Sequence, residues 1–279
     1  MMEEGHGSHW ECVVNLIDIP QKVLFKLVKK GDVVEKAEVI ADCFGNGKET
    51  KQSVFSISYS ADLTAIALIV SNKKNQTNEV VSAYPIVRNG EKIKLKITSI
   101  KEWSNGIEAV IIAETEGKHK ISFFDTKYFK NKHKYKIGET HTFLLAALAY
   151  SAEELKEKSF SFEGQTAIDW LAKSDREPDY DEKGNVKPIV FDLTELVAFL
   201  PRTDYPDDVE FQSPISEIEN AEFLGSQVYK LKICIFRDLD TDQDVYIHLF
   251  AKKAFFEQKP KVNDAIRGIL WMQGYLQES

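Results

Sequence analysis

Ile93-Lys94-Leu95-Lys96-Ile97 places an apolar residue at every second position, with lysines between. A period of two sends one side of an extended chain into a core and the other into water. Asn105-Gly106 follows, a dipeptide suited to a type I′ hairpin turn, whose central residues both need positive φ. Residues 107–113 are rich in β-branched side chains, Glu116-Gly117 offers a second turn, and residues 121–124 form a third apolar run. Three strands joined by two tight turns predict an antiparallel meander.

Working outward, the C-terminal region reads in the same way. Val228, Leu231, Ile233 and Ile235 mark a strand over 228–236, an Asp-rich loop spans 238–244, and a further strand covers 245–250. The two regions align by residue type. Ile121-Ser122-Phe123-Phe124 sits over Ile247-His248-Leu249-Phe250, and Lys127-Tyr128-Phe129 over Lys253-Ala254-Phe255. After a gap of one residue, Lys136-Ile137-Gly138-Glu139 sits over Lys261-Val262-Asn263-Asp264, Leu144-Leu145 over Ile269-Leu270, and Tyr150 over Tyr275. Turn and apolar residues keep register together, which predicts an internal duplication.

The N-terminal third is also strand-like. Trp10, Cys12, Val14 and Leu16 alternate, as do Val23, Phe25 and Leu27, and then Phe55, Ile57 and Tyr59. Gly45-Asn46-Gly47 and residues 72–78 read as polar turns or loops. Helix signals concentrate in the middle. Ser151-Ala152-Glu153-Glu154 and Asp192-Leu193-Thr194-Glu195 match capping boxes, the second opening a helix that Pro201 ends. Ala167, Ile168, Trp170 and Leu171 have helical spacing within 166–173, and 174–187 reads as an exposed loop. Gly268 and Gly274 suit a bulge or a close backbone approach in a strand that closes a barrel, with Trp271 and Tyr275 supplying buried area.

The chain has 279 residues, 43% of them hydrophobic and 29% charged, which excludes a disordered or collagen-like polymer. Its formal charge of −8 argues against a surface devoted wholly to nucleic acid or an anionic membrane. No apolar run approaches the roughly 20 residues of a membrane helix, and the first ten residues lack the pattern of a signal peptide. Cys12, Cys43 and Cys234 are too few and too scattered for a disulfide framework or a zinc site. Cytoplasmic residence without cofactor or metal is the expectation.

The charge is unevenly spread. Residues 118–136 hold seven lysines against Asp125 alone, a net of +6, with Phe123, Phe124, Tyr128, Phe129 and Tyr135 between them. Such a face can follow phosphates with lysines and stack bases on rings. The structural alternative is a solvated lysine face with its rings turned inward. Lys118, Lys120, Lys127, Tyr128, Lys130, Lys132 and Lys134 are the candidate ligand contacts, and Trp271 is a candidate for lining a ligand groove. Residues 175–222 hold fourteen acids and four bases, a net of −10, so the rest of the chain is −8 + 10, or +2. That segment keeps the surface soluble, or else faces a basic partner protein or the lysine cluster of the same chain.

Asp238, Asp240, Asp242 and Asp244 have the spacing of calcium ligands, but Gln243 and Leu249 stand where an EF-hand needs glycine and glutamate. His6 and His9 lie near a chain end, and His119, His133, His141 and His248 share no metal-site spacing. No catalytic motif is present, and no catalytic residue is assigned.

Residues 262–276, with Leu200-Pro201-Arg202 and the following Asp207-Asp208-Val209-Glu210-Phe211-Gln212, resemble uncharacterised bacterial cytosolic proteins with duplicated OB-like barrel halves, over roughly 190–279. The resemblance brings no catalytic residues. The expectation is a mainly β fold with a small helical insert, built from tandem OB-like small barrels. It divides into an N-terminal β domain (1–89), a first repeat (90–150), a helical and acidic insert (151–204) and a second repeat (205–279). Three functions fit: a non-catalytic protein-binding scaffold first, then a single-stranded nucleic-acid-binding module using 118–136, then an enzyme whose site forms between repeats.

Overall fold

A computed structural model describes residues 9–14, 25, 28–44, 46–58, 62–72, 77–223, 226–237 and 244–278. Strands dominate. β1 (Asp32–Ala41), β2 (Thr50–Ser58), β3 (Leu63–Asn72) and β4 (Thr77–Val87) form one antiparallel meander in chain order. The larger sheet contains β5 (Glu91–Glu102), β6 (Ala109–Glu114), β7 (Lys120–Asp125), β8 (Thr140–Glu154), β11 (Ala198–Pro201), β12 (Asp208–Phe223), β13 (Ser226–Phe236), β14 (Val245–Lys252) and β15 (Ala265–Leu276). A hairpin of β9 (Ser159–Phe162) and β10 (Ile189–Asp192) stands apart. The helices are short: α1 (Tyr128–Asn131) and α2 (Gly164–Lys173).

The larger sheet closes twice. β5 pairs β6, β6 pairs β7, β7 pairs β15, β15 pairs β8, and β8 returns to β5. A second ring runs through β12, β13, β14, β8 and β15 and back to β12. Each ring has a single parallel pairing, β7 with β15 in the first and β14 with β8 in the second. Both rings therefore use β8 and β15. Along one edge of β8, residues 140–145 face β5 and residues 146–148 face β14. Along one edge of β15, residues 265–271 face β12 and residues 273–274 face β7.

Fine detail corresponds as well. β5 has a register shift between Ile97 and Ser99, and β12 has one between Ile215 and Glu217. Ile97 exchanges backbone hydrogen bonds with the turn ahead of β8: its carbonyl accepts from Gly138 N–H, and its N–H donates to Glu139. Ile215 does the same with Asn263 and Asp264 ahead of β15. Gly138 and Asn263 both have positive φ, 91° and 73°, as that turn demands.

Alternation on the shared strands sorts the cores. Phe143, Leu145, Ala147, Ala149, Ile266, Leu270 and Met272 fill a core continuous through both rings. Ala146, Leu148 and Trp271 point the other way, into a second core roofed by Leu68, Tyr84 and Ile86 of the N-terminal sheet. Tyr84 meets Trp271 edge-on, with ring centroids 6.2 Å apart. Two glycines let β8 and β15 approach closely. A Cβ on Gly268 would lie 2.0 Å from the Ser151 carbonyl oxygen, and one on Gly274 would lie 2.8 Å from that of Leu144.

Several local expectations are corrected. Ser151–Glu154 is the end of β8, held there by pairing with β15, and not a helix. Asp192 does not open a helix either; its Oδ1 accepts from the Thr194 N–H and hydroxyl in a tight turn. The chain then extends as β11, where Pro201 is tolerated on an edge strand. The turn at Asn105-Gly106 is longer than two residues, and Gly106 alone of the pair has positive φ. Trp10–Cys12 is a 3-10 turn, and Phe25 and residues 28–30 are helical. Leu16, Val23, Leu27, Gly45 and Tyr59 lie outside the described residues. Among the described residues no helix is long and apolar enough to cross a membrane.

Candidate functional site

The lysine-rich segment begins in β7, passes through α1 and ends ahead of β8. Its rings Phe123, Phe124, Tyr128, Phe129 and Tyr135 are all buried. Alternation in β7 sends Phe123 into the ring core and Phe124 under the N-terminal sheet. Tyr128 donates its hydroxyl to Glu102 Oε2 at 2.8 Å. Burial, then Glu102, push that hydroxyl well above its usual range. These rings are closed to stacking, which corrects Tyr128 as a ligand contact.

The cations divide into two groups. Lys127 Nζ lies 2.8 Å from Glu35 Oε1, and Lys130 Nζ lies 2.5 Å from both Glu35 Oε2 and Glu278 Oε1. Burial pushes the Glu35 carboxyl up, but hydrogen bonds and charge from the two lysines outweigh it and hold it below its usual range. Lys132 donates to the Gly106 carbonyl at 2.7 Å and sits 3.4 Å from Glu102. Lys118, Lys120 and Lys134 are exposed and make no ion pair among the described residues. Three of the seven lysines thus fasten the α1 segment to β1, to the β5–β6 turn and to Glu278. Beneath it Asp125 is buried, accepting from the Lys127 N–H at 2.9 Å and from the Tyr135 hydroxyl. Burial raises its carboxyl to about 6 despite those donors.

Trp271 is fully buried, so it lines no groove. Its Nε1 donates to Asp207 Oδ2 at 3.0 Å, and the His9 ring stacks on it with centroids 3.9 Å apart. His9 is also hydrogen-bonded to the Tyr150 hydroxyl. Burial, then nearby acidic groups including Asp208, push that hydroxyl far up. This polar knot joins the start of the described chain to both shared strands. Its only sequence signal is a histidine beside Trp10, which names no partner.

Open concavities lie on each of the two rings. On the second ring, a groove of about 650 Å³ is lined by Leu200, Phe211, Phe255 and Ile269, with Glu153 and Arg267 at its rim. Arg267 Nε lies 2.8 Å from Glu153 Oε1. On the first ring, a notch of about 410 Å³ separates Glu91–Lys94 of β5 from Asp244–Tyr246 of the second ring. Close by, His248 Nε2 lies 3.2 Å from Glu91 Oε1, and Lys232 lies 3.0 Å from Glu217. Burial, then the charge of Lys230, lower the His248 pKa, so the imidazole is neutral at pH 7. A neutral imidazole held by a carboxylate is one half of an acid–base site. Among the described residues no serine or cysteine hydrogen-bonds to it.

Among the described residues no group of three or more His, Cys, Asp or Glu side chains is placed to hold a metal ion. His6, Asp238, Asp240, Asp242 and Gln243 lie outside the described residues. No family model, no curated protein and no solved structure matches the chain. The resemblance carried by residues 190–279 therefore draws no support from that quarter.

Proposed function

We propose that the protein is a non-catalytic, cytoplasmic binding protein that holds a segment of another protein in the groove of the second ring. Both rings are read as OB-like. Numbering the four strands that each ring unit contributes as 1 to 4, and the strand borrowed from the other unit as 5, gives the order 1-2-3-5-4-1 in both. Duplication of one unit accounts for the matching register shifts and turns.

The observation that carries the binding reading is the lining of the groove. Leu200, Phe255 and Ile269 come from separate elements and present apolar surface at one open site, with Leu200 61% exposed and Phe211 buried beneath them. Exposed apolar surface rimmed by charge is characteristic of interaction sites. Acids outnumber bases by ten across 175–222, the stretch that supplies β11 and β12. That balance favours a partner segment with a bulky apolar residue between basic ones.

Panning a random dodecapeptide display library on the immobilised protein, with Leu200→Asp as counter-target, tests this. Enriched peptides should carry Lys or Arg around an apolar anchor and bind the variant about tenfold more weakly, a difference of ~1.4 kcal/mol. Failure to enrich any peptide for wild type over the variant overturns the reading.

A further inference from the structure

Among the described residues, the second ring contains a strand with no counterpart in the first. β11 lies on the edge of β12, with Pro201 opposite Val209, Leu200 opposite Glu210, Phe199 opposite Phe211 and Ala198 opposite Gln212. Ile97 and Ile215 occupy matching positions, because each bonds to the turn ahead of its ring's fourth strand and each begins the register shift. Counting back six residues from each equates Val209–Gln212 with Glu91–Lys94. Pairing on the other edge agrees, since Val209 faces Leu270 of β15 as Glu91 faces Leu145 of β8.

In the first ring that edge carries no strand among the described residues. β6 pairs with β5 only from Lys96 to Glu102, and Glu91–Lys94 line the 410 Å³ notch instead. The other walls correspond too. Phe199 packs on Phe236, with ring centroids 5.0 Å apart. Phe236 lies three residues past Ile233, the partner of Ile215. Three residues past Ala113, the partner of Ile97, is Glu116, which lines the notch.

We infer that the notch between β5 and β14 is a strand-acceptor site, which takes an extended acidic segment of a partner protein as an added antiparallel strand on Glu91–Lys94. Strand addition of this kind draws affinity from main-chain hydrogen bonds and specificity from alternate side chains. Lys92 and Lys94 lie on one face of β5, exposed and without ion pairs among the described residues. Their places match those of Glu210 and Gln212, so the incoming residues opposite them stand where Leu200 and Ala198 stand on β12. Carboxylates at those two positions form cross-strand pairs with both lysines. The residue between them faces Ile93 and is best filled by valine or threonine. Of the acids in the lining, Glu91 is held by His248 and Lys232, while Glu116 and Asp244 stand at the far wall. This inference is independent of the groove on the second ring.

The test uses the full chain and a fluorescein-labelled Glu-Val-Glu-Val-Glu peptide, followed by fluorescence anisotropy at low salt. Saturable binding is expected. It should weaken at least tenfold for the Lys92→Glu/Lys94→Glu protein, and as much for a peptide N-methylated at its glutamates, whose N–H groups are the ones that face β5; that peptide keeps its charge but cannot pair. Leu200→Asp should leave binding within twofold of wild type, so failure here and failure of the groove on the second ring are seen separately. Absence of saturable binding, equal binding by the N-methylated peptide, equal binding by the lysine variant, or loss with Leu200→Asp overturns the inference.

Discussion

The two rings have one strand order and opposite flanks. Phe124 pairs Gln273 in the first ring and Phe250 pairs Leu148 in the second, so the next residues, Asp125 and Ala251, are counterparts. The first ring buries a carboxylate there, builds α1 over it, and ties α1 to β1 through Glu35, Lys127 and Lys130. The second ring has alanine, follows it with the 3-10 turn Lys253–Phe255, and adds its own strand β11. The apolar alternation that closes a ring is common to both. Charge and added elements, which differ, decide what each ring presents at its surface.

The largest expected effect breaks the comparison from inside the second ring. Leu231 is fully buried in β13, and Leu231→Ala should cost about 3 kcal/mol in urea unfolding, as buried leucine truncations do. Because β8 and β15 belong to both rings, the loss should appear in a single transition.

Asp125 sharpens the contrast through pH. Its carboxyl is raised from 3.8 to about 6 in the folded chain, so between those values the native state holds the extra proton. Stability from this group is therefore full below pH 3.8 and is lost as pH rises through 6, by about 3 kcal/mol in all. Asp125→Asn should remove that slope from unfolding free energies measured between pH 4 and 7. Ala251 gives the second ring no such dependence.

Gly268→Ala comes next. Its Cβ would meet the Ser151 carbonyl with no flexible side chain to yield, and about 2 kcal/mol should be lost in the same urea measurement. The smallest effect is Glu35→Gln, under about 1 kcal/mol for a partly exposed ion pair. Its sign is opposite to that of Asp125. The Glu35 carboxyl is held down, so its contribution is present above the unfolded value and fades as pH falls through the folded one. Unfolding of Glu35→Gln at pH 7 and at pH 3 checks this, since the gap from wild type should close at the lower pH.

Much of the mainly β fold was legible because period-two alternation is a local property. Ile93, Leu95 and Ile97, like Leu231, Ile233 and Ile235, announce their faces without reference to the rest of the chain. The exchange of final strands was not legible. Leu144-Leu145 and Ile269-Leu270 say that a strand exists and which side is buried, but not which edge pairs with which neighbour. The false helix starts at Ser151 and Asp192 have the same origin. An Asp or Ser side chain accepting a nearby N–H caps a helix or closes a turn equally well, and pairing across β15 or β12 decides between them. The candidate site was legible only as charge. Composition located the lysines of 118–136, while Glu35 and Glu278, which hold two of them, lie far away in sequence. The open edge at Glu91–Lys94 became visible only beside its filled counterpart.

The interlocking of the rings is tested most directly by hydrogen exchange read by mass spectrometry in wild type and Leu231→Ala. The mutation lies in β13 of the second ring, and the segment to watch is β6 of the first, where Ile111 and Ala113 are fully buried. Shared strands predict that protection in β6 and β13 falls by the same factor, matching the loss of global stability. Unchanged protection in β6 with a loss confined to β13 would contradict the account, because each ring would then stand without the other.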